Sequence, residues 1–274
     1  MDNVYNNFDY ETAPRGQKIR ECINVAMVIE DPYDNLFKFE DKTLTLPSKY
    51  TKKEMCLYLN ATDKLSLFEK ASPFWKKIAN DDGTVNSAYG NLIFNPSLED
   101  GRSQFDWAFD CLKADKDSRQ AFMRFNNMRH QHAGVKDLPC TFIMMFHIRN
   151  NALHATIDMR SNDIVKGLIH DEPSFVLFQH LMLLRLREVY PELQMGTYTH
   201  ISHSLHLYEP DFDLTKKRLD SQIIPNHYPM PNDWRVVKST DAAELAEDKV
   251  CGQQFLVHDW QLKENVDFYS WILS

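Results

Sequence analysis

Residues 137–163, DLPCTFIMMFHIRNNALHATIDMRSND, carry the reading of the fold. β-branched and aromatic residues gather over Thr141–Ile148 and again over Leu153–Met159, which predicts two strands. Working outward, the same composition predicts strands at Ile23–Ile29 and Leu205–Tyr208. Helices are expected at 51–60, where Thr51 precedes charged residues and then Met55, Leu57, Tyr58 and Leu59, and at 69–80 and 103–113. A fourth is expected at 173–189, where Phe175, Phe178, Leu181, Met182 and Arg185 keep a helical period behind Pro173 in the first turn. That helix is apolar on most sides, so it belongs at the centre. Strands and helices mix irregularly, without the strict alternation of a doubly wound fold. The expectation is therefore α+β, with one large mixed sheet, packed helices and a central buried helix.

With 43% hydrophobic and 26% charged residues over 274 positions, the chain can bury a full core, which excludes disorder as its main state. No repeat and no Pro/Gly/Ser linker divides it, so a single domain over 1–274 is expected. The most apolar stretch, Phe175–Leu186, is broken by Gln179, His180 and Arg185, and no charged start leads into an apolar signal. A cytoplasmic protein without membrane attachment is expected. A formal net charge of −8 disfavours broad phosphate attraction and hence direct nucleic-acid binding, but leaves room for a small anion held by a few arginines. The five cysteines, Cys22, Cys56, Cys111, Cys140 and Cys251, have neither pairing nor regular spacing, so neither a disulfide framework nor a zinc knuckle is suggested. One of them can serve as a nucleophile, although a buried cysteine is ordinarily a small core residue.

Chemistry gathers in three segments. In DLPCTF (137–142), Cys140 sits just before an apolar strand and can face a cleft. In MRSND (159–163), Arg160 and Ser161 end an alternating strand, and together they can hold a phosphate. In HISHSLHLY (200–208), the strand-like SLHLY puts His206 and Tyr208 on one face, which argues against a metal cage.

Taken together and in this order, these segments resemble the thymidylate synthase superfamily, more closely its deoxycytidylate hydroxymethylase branch known from bacteriophages. The resemblance spans about residues 15 to 210. It rests on DLPCT, on RSND followed by Gly167, and on LHLY, supported by PRG at 14–16, Glu54 at a helix start, FW at 74–75, NSAYG at 86–90 and DSR at 117–119. It implies the thymidylate synthase fold, a folate-dependent one-carbon transfer and a homodimer with shared sites. Cys140 then resembles the nucleophile that adds to C6 of a pyrimidine ring, its thiolate favoured by neighbouring arginines. Glu54 resembles the glutamate that organises water and relays protons. Arg160, Ser161 and Arg15 look like phosphate ligands, and Arg119 like the arginine sent into the partner's site. His206 and Tyr208 look like the pair that holds the sugar 3′-hydroxyl, and Trp75, Asp163 and Gly167 match positions lining the folate pocket. The co-substrate implied is 5,10-methylenetetrahydrofolate, with no metal.

Departures from the family matter as much. The adjacent pair of interface arginines is here Arg119-Gln120, and Thr141 follows the nucleophile where thymidylate synthases usually have histidine, as in the hydroxymethylase branch. No match is found beyond about residue 212, and the chain end SWILS lacks the small apolar tail that closes the site in thymidylate synthases. At GLIHD, Asp171 replaces the asparagine that pairs with uracil. An amide owns the donor and acceptor that uracil requires, whereas an ionised carboxylate only accepts and suits the cytosine amino group, and N3 as well if one proton is shared. The plain alternative is an aspartate that caps a turn before EPSF. The expected activity is hydroxymethylation of dCMP at C5. Its rivals are a pyrimidine nucleotide methyltransferase acting on dCMP or dUMP, a CMP hydroxymethylase, and a silent relative that only binds nucleotide or folate.

Overall fold

The computed structural model describes residues 1–34, 36–45, 49–236, 267–268 and 271–272. Cys251 and most of the chain end SWILS lie outside the described residues. Strands are β1 (Tyr10–Thr12), β2 (Ile19–Ile29), β3 (Lys38–Phe39), β4 (Phe122–Arg124), β5 (Thr141–Arg149), β6 (Ala152–Met159), β7 (Asn162–Asp163), β8 (Gln194–Tyr208) and β9 (Ile223–Ile224). Helices are α1 (Asp2–Asn6), α2 (Lys49–Asn60), α3 (Leu65–Ala71), α4 (Phe74–Ile78), α5 (Tyr89–Phe94), α6 (Gln104–Ala114), α7 (Leu168–Leu186) and α8 (Phe212–Leu219). The large sheet runs β1-β2-β8-β6-β5-β4, and β3 pairs separately with β9. β6 and β8 are parallel, and the other pairs along that order are antiparallel, so the sheet is mixed as expected. β7 also pairs with β8 in parallel, so β6 and β7 are two pieces of one line along β8. Arg160 and Ser161 occupy the break between them.

Alternation explains which face packs. Along β6 every second residue is buried, and Leu153, Ala155, Ile157 and Met159 join Met144, Phe146 and Ile148 of β5 beneath α7. α7 is buried on nearly all sides, with Phe175, Phe178, Leu181 and Met182 fully enclosed, as a helix apolar around its girth requires. Truncating Phe175 or Phe178 to alanine would cost about 3–5 kcal/mol through the cavity left behind. α6 starts where expected: the Ser103 hydroxyl accepts from Asp106 N at 3.0 Å and the Asp106 carboxylate accepts from Ser103 N, a reciprocal cap.

Four expectations are corrected. The helix expected at 69–80 is two short ones, because Pro73 follows Ser72 in extended backbone and cannot continue the first. α2 begins two residues before Thr51, whose hydroxyl bonds the His170 ring instead of opening the helix. α7 begins at Leu168, so Pro173 lies inside the helix and Asp171 belongs to the helix itself. β8 is 15 residues long, of which the expected Leu205–Tyr208 is only the end. The apolar stretch around Phe175–Leu186 lies in α7, and no helix among the described residues is long and apolar enough to cross a membrane.

Candidate active site

Cys140 ends the loop before β5 and Arg160 follows β6, its antiparallel neighbour, so strand pairing brings the two together. Arg160 N donates to Cys140 O at 2.8 Å. The guanidinium folds back over the loop, with Nη2 2.7 Å from Leu138 O and 3.4 Å from Cys140 Sγ, and Nε 3.3 Å from Pro139 O. None of these partners is a carboxylate, and among the described residues no ion pair cancels the positive charge. The loop is held from its other side as well. The buried Asp137 carboxylate accepts from Ser87 N at 2.7 Å and from the Ser87 hydroxyl, and Asn86 Nδ2 reaches Asp137 O at 2.8 Å. The NSAYG run thus fastens the cysteine loop.

Burial pushes the Cys140 thiol up, and that outweighs the lowering by Arg160 and Arg15. The arginines therefore act in the expected direction without winning in the free protein. Arg15 sits in a tight turn, exposed and with φ 53°, close enough to bear electrostatically on both Cys140 and Tyr208. Ser161 is half-buried beside Arg160.

Glu54 faces the same region from α2. Tyr50 OH donates to its Oε1 at 3.0 Å and Tyr58 bonds it from the next turn, one helical turn to either side. Burial raises its pKa to about 7, against the lowering by both tyrosines. Trp75 is buried against Phe68, and its Nε1 donates to Tyr50 OH at 3.2 Å, so it supports Glu54 through one intermediary. Gly90 lets α5 rest on the backbone of α2: a Cβ there would overlap the Tyr58 carbonyl. Tyr89 consequently stacks on Tyr58 at 5.6 Å and takes a hydrogen bond from the Thr141 hydroxyl at 3.1 Å, directly after Cys140.

Asp171 projects from the start of α7 and lies deep, yet keeps some accessible surface, as does Cys140, and the two are close enough for the charge of one to bear on the other. Burial drives its pKa well up, the Glu54 charge adds to this, and a hydrogen bond from Asn162 Nδ2 to Oδ2 at 3.0 Å opposes it. Asp163 uses Oδ1 to accept from Val165 N at 2.7 Å and Lys166 N at 3.3 Å, shaping the turn into α7. Gly167 has an ordinary negative φ, and its need for glycine is spatial: a Cβ would stand 2.5 Å from Asn162 Oδ1 and 2.9 Å from Asp163 O. His206 lies beside Asp163 across the β7–β8 pairing and packs edge-on against Tyr208 at 5.1 Å.

The fold thus gathers Cys140, Arg160, Ser161, Arg15, Glu54, Trp75, Asp163, Gly167, Asp171, His206 and Tyr208 around one region. Arg119 is not among them. β4 runs antiparallel to β5 and Phe146 N bonds Ala121 O, so Arg119 lies toward the far end of β5, exposed and with no ion pair among the described residues. At ~3.3 Å per residue this is roughly 20 Å from its own Cys140. Sequence reasoning missed Tyr50, Tyr58, Asn162, His200 and Tyr198. The two tyrosines flank Glu54 at helical spacing, a signal that was there to read. Among the described residues no group of three His, Cys, Asp or Glu side chains converges as a metal site.

A sequence model of the thymidylate synthase family matches residues 36–267, and the chain belongs to that family. The match reaches well past residue 212, where no similarity was expected, and leaves PRG at 14–16 outside it. Among curated proteins, the chain is 27% identical over 241 residues to deoxycytidylate 5-hydroxymethyltransferase of Enterobacteria phage T6, covering 83% of this chain and 91% of that one. It is 25% identical over 218 residues to deoxyuridylate hydroxymethyltransferase of Bacillus phage SP01, covering 73% of this chain and 53% of that one. Thymidylate synthase of Buchnera aphidicola (strain Bp) is 26% identical over 159 residues, covering 57% of this chain and 56% of that one. The family transfers a one-carbon unit to C5 of a pyrimidine nucleotide with methylenetetrahydrofolate as co-substrate, and this chain is a one-carbon transferase of that family.

Proposed function

We propose that the protein hydroxymethylates dCMP at C5. The observation that carries this reading is a buried carboxyl, Asp171, beside Cys140 and Glu54 at the place where a base would be read. Burial favours its neutral form, which offers one O–H donor and one acceptor oxygen, the complement of cytosine N3 and its amino group. The similarity to phage deoxycytidylate hydroxymethyltransferases supports the same choice.

In this reading Arg160, Ser161 and Arg15 bind the phosphate, and His206 and Tyr208 hold the sugar. Cys140 Sγ bonds to C6, and the C5–C6 electron pair makes C5 a nucleophile while Asp171 steadies N3 as charge builds on the ring. Once C5 has bonded to the one-carbon unit, loss of the C5 proton breaks that carbon's bond to the folate amine, which leaves protonated, and gives an exocyclic methylene on the ring; water adds to this carbon, and expulsion of the Cys140 thiolate from C6 restores the ring double bond. Glu54, with a pKa of about 7, takes the proton from the water that completes the hydroxymethyl group.

Methylenetetrahydrofolate, when bound, supplies the electrophilic one-carbon unit. The residues fit such a group. A cavity of about 520 Å³ opens beside Thr51, Ile169 and His170, and the Trp271 ring offers it an aromatic wall. Arg218 also lines it, buried and with Nη1 lacking a hydrogen-bond partner among the described residues, which suits a ligand bearing carboxylates. Trp75, Asp163 and Gly167 would complete its surroundings. Arg119, stranded from its own site, is assigned to the site of a second copy, and a homodimer follows. Incubating the pure protein with dCMP, CMP or dUMP plus methylenetetrahydrofolate, with mass analysis of the nucleotide, tests the reading: a gain of one hydroxymethyl group on dCMP is expected, and a product from dUMP alone overturns it.

A further inference from the structure

A neutral carboxyl does not by itself tell cytosine from uracil, because its proton can sit on either oxygen. With the proton on the oxygen facing N3, it pairs with cytosine. With the proton on the oxygen facing position 4, it pairs with uracil. Selectivity therefore needs a neighbour that decides which oxygen carries the proton.

Asn162 is that neighbour. It is 3% exposed, and its Nδ2 lies close to two acceptors, Asp171 Oδ2 at 3.0 Å and Met159 Sδ at 3.0 Å, and to His200 Nε2 at 3.2 Å, which accepts in one tautomer of the ring. Its Oδ1 has no hydrogen-bond partner among the described residues and rests against Gly167, where only a C–H is offered. Turning the amide over would leave two donors against Gly167 and an oxygen facing acceptors, at a cost typical of buried unsatisfied groups. Whether it can turn depends on His200. A ring whose Nε2 accepts must carry its proton on Nδ1, and His200 Nδ1 stands 2.9 Å from Tyr198 OH. Both residues are fully enclosed, and burial lowers the His200 pKa to about 4, so the ring stays neutral with one donor and one acceptor.

We propose that His200 and Tyr198 are specificity-determining positioning residues: they fix the Asn162 amide with Nδ2 on Asp171 Oδ2, which reserves Oδ2 as an acceptor and confines the carboxyl's proton to Oδ1. A carboxyl so fixed matches cytosine when Oδ2 meets the amino group, and in the same pose opposes uracil O4. The proposal rests on Asp171 reading the base, as stated under Proposed function.

The experiment measures equilibrium binding of dCMP and dUMP by calorimetry to the full chain and to the variants Asp171→Asn, His200→Phe, His200→Gln and Tyr198→Phe. The expected result is that the full chain prefers dCMP, that His200→Phe lowers the preference by about tenfold or more, that Tyr198→Phe shifts it the same way, and that His200→Gln, which keeps an acceptor, restores most of it. A His200→Phe protein that weakens both nucleotides by the same factor, or neither, overturns the proposal while Asp171→Asn still changes the ratio. If Asp171→Asn also leaves the ratio unchanged, the base assignment falls and the proposal with it. Should His200→Phe fail to fold, two-bond ¹⁵N–¹H spectra of the unmodified protein decide: a neutral His200 ring protonated at Nδ1 is expected, and protonation at Nε2 overturns the proposal.

Discussion

Arg160 Nη2 stands 3.4 Å from Cys140 Sγ while the same guanidinium holds the carbonyls of Leu138 and Pro139. One side chain thus shapes the loop of Cys140 and lowers the thiol's pKa against burial. A lysine cannot span those partners, since it lacks the planar fork. Arg160→Lys is expected to slow iodoacetamide alkylation of Cys140 at fixed pH and to weaken nucleotide binding, whereas Cys140→Ala should abolish turnover and leave binding nearly intact. Turnover by the Cys140→Ala protein would remove the nucleophile assignment.

Replacing Asp171 with asparagine should shift the kcat/KM ratio of dCMP over dUMP toward dUMP. A swing of about 2–4 kcal/mol corresponds to relieving one buried mismatch and losing one strong hydrogen bond. An unchanged ratio would mean that Asp171 does not read the base.

Glu54 must be ionised to accept a proton, and its pKa is raised to about 7 by burial. Product formation is therefore expected to fall about tenfold per pH unit below that value and to level off above it. Glu54→Gln should lower kcat by about 10²–10⁴ and abolish the inflection. If the glutamine variant keeps the same pH profile, another group controls it.

Mixing Arg119→Ala with Cys140→Ala subunits should recover part of the activity lost by each, because a heterodimer would hold one site with both residues intact. The control is a demonstration, by mass-tagged subunits, that exchange occurred. Exchange without recovery would place Arg119 outside the site.

Glu172, next to Asp171 and 3% exposed, is raised from 4.5 to about 8 by burial and by the Asp34 charge. Between those values the folded state holds a proton that the unfolded chain has released, so stability is lost as pH rises through the window. Glu172→Gln should therefore gain stability over the unaltered protein by ~1.4 kcal/mol per pH unit across it, as an upper figure. Urea midpoints at pH 5 and pH 8 check this, and an equal difference at both would contradict it.

Where side chains alternate simply, the sequence and the structure agree closely: Thr141–Ile148 was expected and β5 is Thr141–Arg149. Where function intrudes, the pattern breaks. The first turns of α7 contain two polar residues, His170, which bonds Thr51, and the deep-lying Asp171, so the apolar period begins only at Pro173. Most of β8 went unread for the same reason, since His200 and Ser202 look like surface residues yet are completely buried. Cys140, Arg160 and Asp171, which the fold brings together, could be picked out because they fall in short local motifs. Tyr198, His200 and Asn162 were not, because their partners come from separate elements and only the folded chain brings them together.

β8 carries Tyr198 and His200 in the layer behind Asp171, and His206 and Tyr208 at its far end, all at even spacing on one strand that pairs with β2 in unbroken register. With Asp171 reading the base and His206 and Tyr208 holding the sugar, as proposed, the strand is a ruler for the substrate. Its graduations, roughly 20 Å from His200 to His206 at ~3.3 Å per residue, relate the layer behind the base to the sugar contacts without any intervening loop. A single inserted residue between them would turn one set of marks to the opposite side of the sheet, so the length of this segment is as much a determinant of recognition as the residues on it.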